Sequence, residues 1–196
     1  MSLRHINKKR LVAAAAAPAA LLASGGMVWA ASYSAFSATT VNPTSNWTAG
    51  TVALSDDDND TALFTASNLK PGATGTKCIN VTSTGSLAST VKLYGTSYNT
   101  TKALADNVNL KVEQGTGSTN AACSGFTGAS TLYDGVMSTF GTTKTSFANG
   151  VGSWAPTGTA TEVKSFRVTY TLSTTTPDTA QGGTAALGFT WESQNS

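Results

Sequence analysis

The chain contains a single histidine, and it lies close to the first residue. His5 is the one imidazole among 196 residues, and it falls in a segment that we expect to be cut from the mature protein. Zinc hydrolases use imidazole ligands, and Ser-His or Cys-His catalysts use an imidazole base. Its absence from the rest of the chain argues against most metallohydrolases and excludes both of these nucleophilic classes.

The first thirty residues have the pattern of a secretory signal. A basic start, MSLRHINKKR, is followed by the apolar run 11–23 and by the triplet Val-Trp-Ala, which ends at Ala30. Small residues at the outer and inner positions of that triplet suit a signal peptidase, so we expect cleavage between Ala30 and Ala31 or one residue later. The alternative is an uncleaved anchor helix over 11–31, which Pro18 and a Ser-Gly-Gly break disfavour.

Charged residues are scarce, at 11% of the chain. Removal of residues 1–30 takes four of the twelve basic residues and none of the ten acidic ones, so the formal charge changes from +2 to −2. No basic patch remains to hold a phosphate backbone, and we expect no nucleic-acid partner. We expect contact with a membrane only through the uncleaved signal peptide.

Threonine and serine dominate the chain beyond the signal, with 34 Thr and 20 Ser after residue 30. Threonine is β-branched and favours strands, although such a composition is also typical of a disordered, O-glycosylated stalk. Alternation of apolar and polar residues favours strands. It is clearest over 166–172, 108–112 and 185–191, and shorter runs occur at 51–55, 63–66, 77–82 and 90–94.

These runs predict an all-β protein, a single jelly-roll-like β-sandwich of about eight strands that comes after the signal peptide. A short turn of helix over 132–140 is the one helical expectation. The predicted organisation is a signal peptide over 1–30, an N-terminal segment over 31–46 and the β-sandwich over 47–196.

Cys78 and Cys123 are the only cysteines. A secreted chain meets oxidising conditions, so we expect a disulfide that closes a loop of about 45 residues. The alternative, a reactive or metal-binding thiol pair, lacks both a CxxC spacing and a nearby histidine.

An acidic run, Ser-Asp-Asp-Asp-Asn-Asp, occupies residues 55–60. Asp56, Asp58 and Asp60 imitate the start of a calcium-binding loop. The imitation fails because Thr61 stands where glycine is needed and Ser67 where a bidentate glutamate is needed. We predict a solvated hairpin turn, with weak calcium binding as the alternative, and otherwise no metal, cofactor or catalytic residue.

The order of several segments resembles the TasA/camelysin family of secreted bacterial biofilm-matrix proteins. The segments are GGMVWA, YSAFSATT, NWTAGTVALSD, LKPGATGTKCINVTSTGSLASTVKLY and TPDTAQGGTAALGFTWESQ. The resemblance implies a jelly-roll domain, processing by a SipW-type signal peptidase, and assembly outside the cell into fibres. In that family the N-terminal strand of one subunit completes the sheet of the next.

Carried onto this chain, the resemblance makes residues 31–46 a candidate donor strand. Its assembly residues would be Tyr33, Ala35, Phe36 and Ala38, and the partner would be another copy of the chain in a homo-polymer. The implied location is the extracellular or cell-surface matrix, and the implied role is structural and not enzymatic. The chain departs from the family at Ala38, where an acidic residue is common, and in its cysteine pair.

Two other functions compete with the fibre. A β-sandwich binds sugars through exposed aromatic residues, so a monomeric adhesion or carbohydrate-binding module could use Trp47, Trp154 or Trp191. A camelysin-like protease is the second, because members of the family carry a metalloprotease label. The mature chain would have no imidazole ligand, which opposes an HExxH zinc site.

Overall fold

The structure, a computed structural model, describes residues 49–58, 62–119 and 121–195. Within these residues the chain forms strands, one short α-helix and three single turns of 3₁₀-helix. The strands and the helix are β1 (Leu54–Asp56), β2 (Thr74–Ser83), β3 (Ser89–Thr100), β4 (Val108–Thr116), β5 (Thr127–Val136), α1 (Met137–Thr143), β6 (Val151–Trp154), β7 (Glu162–Leu172) and β8 (Ala185–Asn195). The all-β prediction is confirmed.

The strands make two antiparallel sheets that pack face to face. The larger sheet has the order β1-β2-β7-β4-β5, and the smaller has the order β6-β3-β8. Successive side chains of a strand point to opposite faces of the sheet, so the apolar residues of β7 share the inner face. Val168 is buried there, and its neighbours Arg167 and Thr169 point to the outer face. Val168 stands opposite Val112 of β4, so the central strands meet through β-branched residues.

Two clusters of buried side chains fill the space between the sheets. One contains Ile79, Val81, Val91, Trp154 and Phe166, and the other contains Leu93, Leu110, Val112, Phe140 and Val168. The Phe166 ring lies 5.2 Å from the Trp191 ring, which joins the larger sheet to β8. Helix α1 contributes Phe140, which is fully buried.

Some predicted boundaries were wrong. Residues 63–66 form no strand, and β1 covers residues 54–56 instead of 51–55. The predicted helical turn starts five residues late, at Met137, because residues 132–136 extend β5. The acidic run therefore does not join two strands in a tight hairpin, since Asp56 ends β1 and the next strand begins at Thr74.

The signal peptide and the candidate donor strand lie outside the described residues. This applies to Ala30 and Ala31 at the expected cleavage site, and to the assembly residues Tyr33, Ala35, Phe36 and Ala38. Among the residues that the structure does describe, no helix is both long and apolar enough to cross a membrane.

Candidate functional site

An open apolar groove lies between the two sheets on the side of β8. Its volume is about 1290 Å³. The larger sheet contributes Leu110 and Leu172 to the lining, β8 contributes Leu187 and Phe189, and the segment 62–71 contributes Phe64 among others. The core of the sandwich is therefore accessible from this side.

Strand β8 is an edge strand beside this groove, and among the described residues it pairs with β3 alone. The backbone N–H of Gly95 in β3 donates to the Lys144 carbonyl, away from β8. Because N–H groups alternate in direction along a strand, the even-numbered residues of β3 bond to β8. Thr190 stands opposite Tyr94, so Phe189 and Trp191 direct their backbone groups to the unpaired side of β8.

The other edges in the described part of the fold are short or distorted. Strand β1 has three residues and β6 has four. Strand β5 is longer, but its pairing with β4 shifts register twice, and such bulges discourage the addition of another strand. Strand β8 pairs without a shift from Gly188 to Asn195. It is thus the long, regular edge of the described sandwich.

Trp191 lines the same groove and carries a polar atom without a partner. Its side chain packs against Phe166 and Phe189. The indole Nε1 is buried and has no hydrogen-bond partner within the described residues. Most buried N–H groups in proteins are paired, so an unpaired one needs an explanation. The indole N–H is therefore an unsatisfied donor buried behind the groove lining.

The segment 62–71 forms a wall of the groove without belonging to either sheet. Leu63 and Phe64 pack against the core clusters, and the Phe64 ring meets the Tyr170 ring edge-on at 5.1 Å. The segment does not pair with β8, whose partner is β3. The backbone edge of β8 is therefore not used by this wall.

The predicted disulfide between Cys78 and Cys123 is present. The two Cα atoms lie 5.0 Å apart, and the bond links residues separated by 45 positions. Cys78 is 3% exposed at the start of the buried part of β2. The bond ties the loop between β4 and β5 to β2.

The acidic run bonds to the protein through Asp57, a residue that the sequence reasoning did not single out. Its carboxylate accepts the backbone N–H of Asn80 at 2.8 Å and the Nδ2 group of Asn80 at 2.9 Å. Asp56 accepts a long bond from the Asp58 N–H at 3.4 Å, and Asp60 lies outside the described residues. The described part of the run is anchored to β2.

The tryptophans do not form an exposed sugar-binding platform in the described part of the chain. Trp154 is 7% exposed and belongs to the core. Trp191 is half-buried between aromatic rings, and Trp47 lies outside the described residues.

The strongest ionic contacts lie on the outer face of the larger sheet and not in the groove. The Arg167 Nε donates to the Glu113 carboxylate at 2.8 Å, and the Lys111 Nζ lies 3.2 Å from the other oxygen. The hydrogen bond from Arg167 holds the pKa of Glu113 below its usual value. The same contact raises the pKa of Arg167.

A second polar contact joins β3 to β8 on the outer face of the smaller sheet. The Tyr94 hydroxyl donates to Glu192 at 2.8 Å, and this bond raises the pKa of Tyr94. Bonds from Gln194 and Tyr94 lower the pKa of Glu192. These groups pair with one another, which suits a structural role.

Comparison with known proteins gives one family. A family model described as camelysin metallo-endopeptidase matches residues 6–114, which is more than half of the 196 residues. No curated protein matches the chain.

The description of that family implies a metal, but the donor groups of the described chain do not fit one. The described residues contain no group of three or more His, Cys, Asp or Glu side chains placed to hold a metal ion. Both cysteines are in the disulfide, and His5 lies outside the described residues. This donor set does not suit a zinc site, and it supports no proteolytic step.

Proposed function

Since the chain belongs to the camelysin family, we propose that it is a secreted structural protein of the extracellular matrix that polymerises by exchange of its N-terminal strand. Residues 1–30 direct secretion and are removed by a signal peptidase of the SipW type. The mature protein acts outside the cell or at its surface. It has no catalytic role and needs no cofactor.

The observation that carries this proposal is the open edge of β8 beside the apolar groove. An extended segment added to this edge gains a ladder of backbone hydrogen bonds, and the groove accepts its apolar side chains. A groove of about 1290 Å³ has room for several such side chains.

The proposed occupant is the segment 31–46 of a second copy. Its part 33–40, YSAFSATT, would span about 26 Å as a strand, and the regular part of β8 from Gly188 to Asn195 has the same number of residues. The segment is too polar to be buried alone, but Phe36 would enter the groove. Each copy offers one donor and one acceptor, so a chain of copies grows without closing.

The direct test is electron microscopy of the purified secreted protein. We expect unbranched fibres and, by intact mass, an N-terminus at Ala31 or Ser32. A protein that stays monomeric at every concentration and salt condition would overturn the proposal. A secreted species that still contains residues 1–30 would overturn the processing step.

A further inference from the structure

The outer edge of β2 is covered by a loop of its own chain. Residues 117–119 and 121–126 form this loop, and the Cys78–Cys123 disulfide ties it to the strand. The backbone N–H of Cys78 donates to the Ala121 carbonyl at 3.0 Å. A neighbouring strand would form the same kind of bond, so the loop takes the place of such a strand.

A second set of hydrogen bonds fixes the same loop. The Asn80 Nδ2 group donates to the Ser118 carbonyl at 3.0 Å, and the Ser118 N–H donates to the Ser165 hydroxyl at 3.2 Å. The Ser165 hydroxyl in turn donates to the Asn80 Oδ1 at 2.6 Å. The loop is thus held to β2 at Cys78 and Asn80, two residues whose backbone N–H groups point away from β7.

The rest of this edge is also occupied towards its C-terminal end. Asp57 accepts the backbone N–H of Asn80, and β1 pairs with Val81, Thr82 and Ser83. Covering an edge with a loop and a short strand is a known way to prevent pairing between molecules. Strand β8 has no strand or loop paired along its other side among the described residues, and β1 lies near it at a small cavity that Ser55 and Thr190 help to line.

We propose that the loop closed by the Cys78–Cys123 disulfide is an edge guard, which prevents β2 from pairing with a second copy and leaves β8 as the edge that accepts a strand. The restriction to β8 rests on the proposed function. The guarding of β2 does not, because among the described residues no strand pairs with residues 74–80 on this side of β2, whether or not the protein forms fibres.

The disulfide is the part of the guard that holds the loop in place. The loop has glycines at positive φ near both ends, Gly117 at 81° and Gly125 at 75°, which favour a turn but also leave the unfolded loop very mobile. Without the covalent bond, the cover of Cys78 depends on the hydrogen bond from its N–H to Ala121 and on the bonds that join Ser118 to Asn80 and Ser165. The Thr-rich start of β2 then becomes a free edge that can pair antiparallel with β2 of another copy.

The test compares the secreted protein with a variant in which Cys78→Ala and Cys123→Ala remove the bond. Lys77 is exposed on β2, so pairing of two β2 strands brings two copies of Lys77 together. We expect an amine-reactive cross-linker to join Lys77 to Lys77 between copies in the variant at least tenfold more often than in the parent. We also expect at least tenfold faster hydrogen exchange at the amide of residue 78.

A third protein separates edge pairing from general instability. Thr76→Pro is added to the cysteine-free variant, because the Thr76 N–H faces the same side as those of Cys78 and Asn80, so its loss breaks no backbone bond to β7. The change gives up the contact between the Thr76 and Thr169 hydroxyls at 3.0 Å, so Thr76→Pro in the parent protein is measured beside it. We expect the cross-link to disappear. Persistence of the Lys77 cross-link in the variant with Thr76→Pro would overturn the edge guard. So would a cysteine-free variant that forms no cross-link and whose residue 78 amide exchanges as slowly as in the parent.

A second route covers the case in which the cysteine-free variant fails to fold. Two glycines inserted between Ala121 and Ala122 keep the disulfide but loosen the cover, and we expect Lys77 cross-links here as well. The proposal would be contradicted if the insertion variant folds and its Cys78 amide exchanges rapidly, but no Lys77 cross-link forms. Absence of fibres from the parent protein would contradict only the proposed function, since the cross-links are read independently.

Discussion

Asp57 and Asn80 are joined by two hydrogen bonds, one to the backbone and one to the side chain. The Asn80 N–H reaches Oδ1 at 2.8 Å, and the Asn80 Nδ2 reaches Oδ2 at 2.9 Å. The pair continues the contact between β1 and β2 one residue beyond the last paired residue, Asp56. Asp57, in the middle of the acidic run, therefore helps to hold the three-residue strand β1 against β2.

This pair predicts that Asp57 matters more to stability than its acidic neighbours. Asp57→Ala removes two bonds to a charged acceptor, and we expect a loss of about 1–2 kcal/mol in the free energy of unfolding, or a few degrees in Tm. Asp56→Ala is the matched control and should change Tm by about a degree or less. Thermal unfolding measures both variants. Equal falls in Tm would show that the hydrogen bonds between Asp57 and Asn80 add nothing to stability.

The same geometry predicts that the acidic run does not depend on calcium. Because the Asp57 carboxylate is already bonded to Asn80, a triple change of Asp56, Asp58 and Asp60 to Asn should leave Tm nearly unchanged, apart from relief of like-charge repulsion. Melting in calcium and in chelator measures this. A calcium-dependent rise of several degrees in the parent, absent from the triple variant, would reveal a site.

Removal of the disulfide is expected to lower stability strongly. The bond closes 45 positions, for which the loop-entropy model gives roughly 4 kcal/mol as an upper value. In a domain of this size that corresponds to a fall in Tm on the order of ten degrees. The double change of Cys78 and Cys123 to Ser, melted beside the parent, tests it, and unaltered melting would mean that the loop is equally ordered without the bond.

The contact between Glu113 and Arg167 predicts acid sensitivity. The pKa of Glu113 is lower in the folded protein than in the unfolded chain, so the contact stabilises the fold above the unfolded value of about 4.3. That contribution disappears as the pH falls through the lower, folded pKa. With the Glu113 side chain 14% exposed, we expect about 1 kcal/mol.

Glu113→Gln should therefore be less stable than the parent at pH 7 and nearly equal to it at pH 2–3. Urea unfolding at several pH values measures the difference. Asp106→Asn is the control, since Asp106 is an exposed carboxylate on the turn that precedes β4. A gap between Glu113→Gln and the parent that stays constant with pH would rule out the carboxylate as its cause.

The sequence was sufficient to predict the strands with one buried face. Phe166, Val168 and Leu172 alternate with polar residues, and they lie in β7 at the centre of the larger sheet. The sequence did not predict strands β5 and β6, because both are edge strands whose apolar and polar residues do not alternate regularly. Strand β5 shifts register twice, which breaks its period of two, and β6 is four residues long with Gly152 at a φ of 83°.

Leu63 and Phe64 misled the sequence reasoning in the opposite direction. Their apolar character reflects packing against the core from an irregular segment, which a strand pattern does not distinguish. The Cys78–Cys123 pair was predictable because the chain has no other cysteines. The bridge from Asp57 to Asn80 and the edge of β8 that is unpaired among the described residues were not, because both depend on the register of strands far apart in sequence.

Separate variants can isolate the donor and the acceptor of the proposed exchange. Deletion of Tyr33–Thr40 removes the donor, and Phe36→Asp removes its apolar anchor. Leu187→Glu, whose side chain lines the groove, places a charge in the acceptor. We expect each to give a folded, soluble monomer that forms no fibres, because each lacks one half of the contact.

Mixing the two variants tests whether the donor segment of one copy binds the groove of another. The deletion variant keeps its groove and the Leu187→Glu variant keeps its donor strand, so an equimolar mixture should form a one-to-one heterodimer that cannot grow further. Sedimentation velocity measures the species, and circular dichroism checks each fold. Val163→Glu, at a 51% exposed valine on β7, is the control and should still form fibres. Fibres from the deletion variant, or a mixture that stays monomeric while both variants are folded, would eliminate strand exchange between these two surfaces.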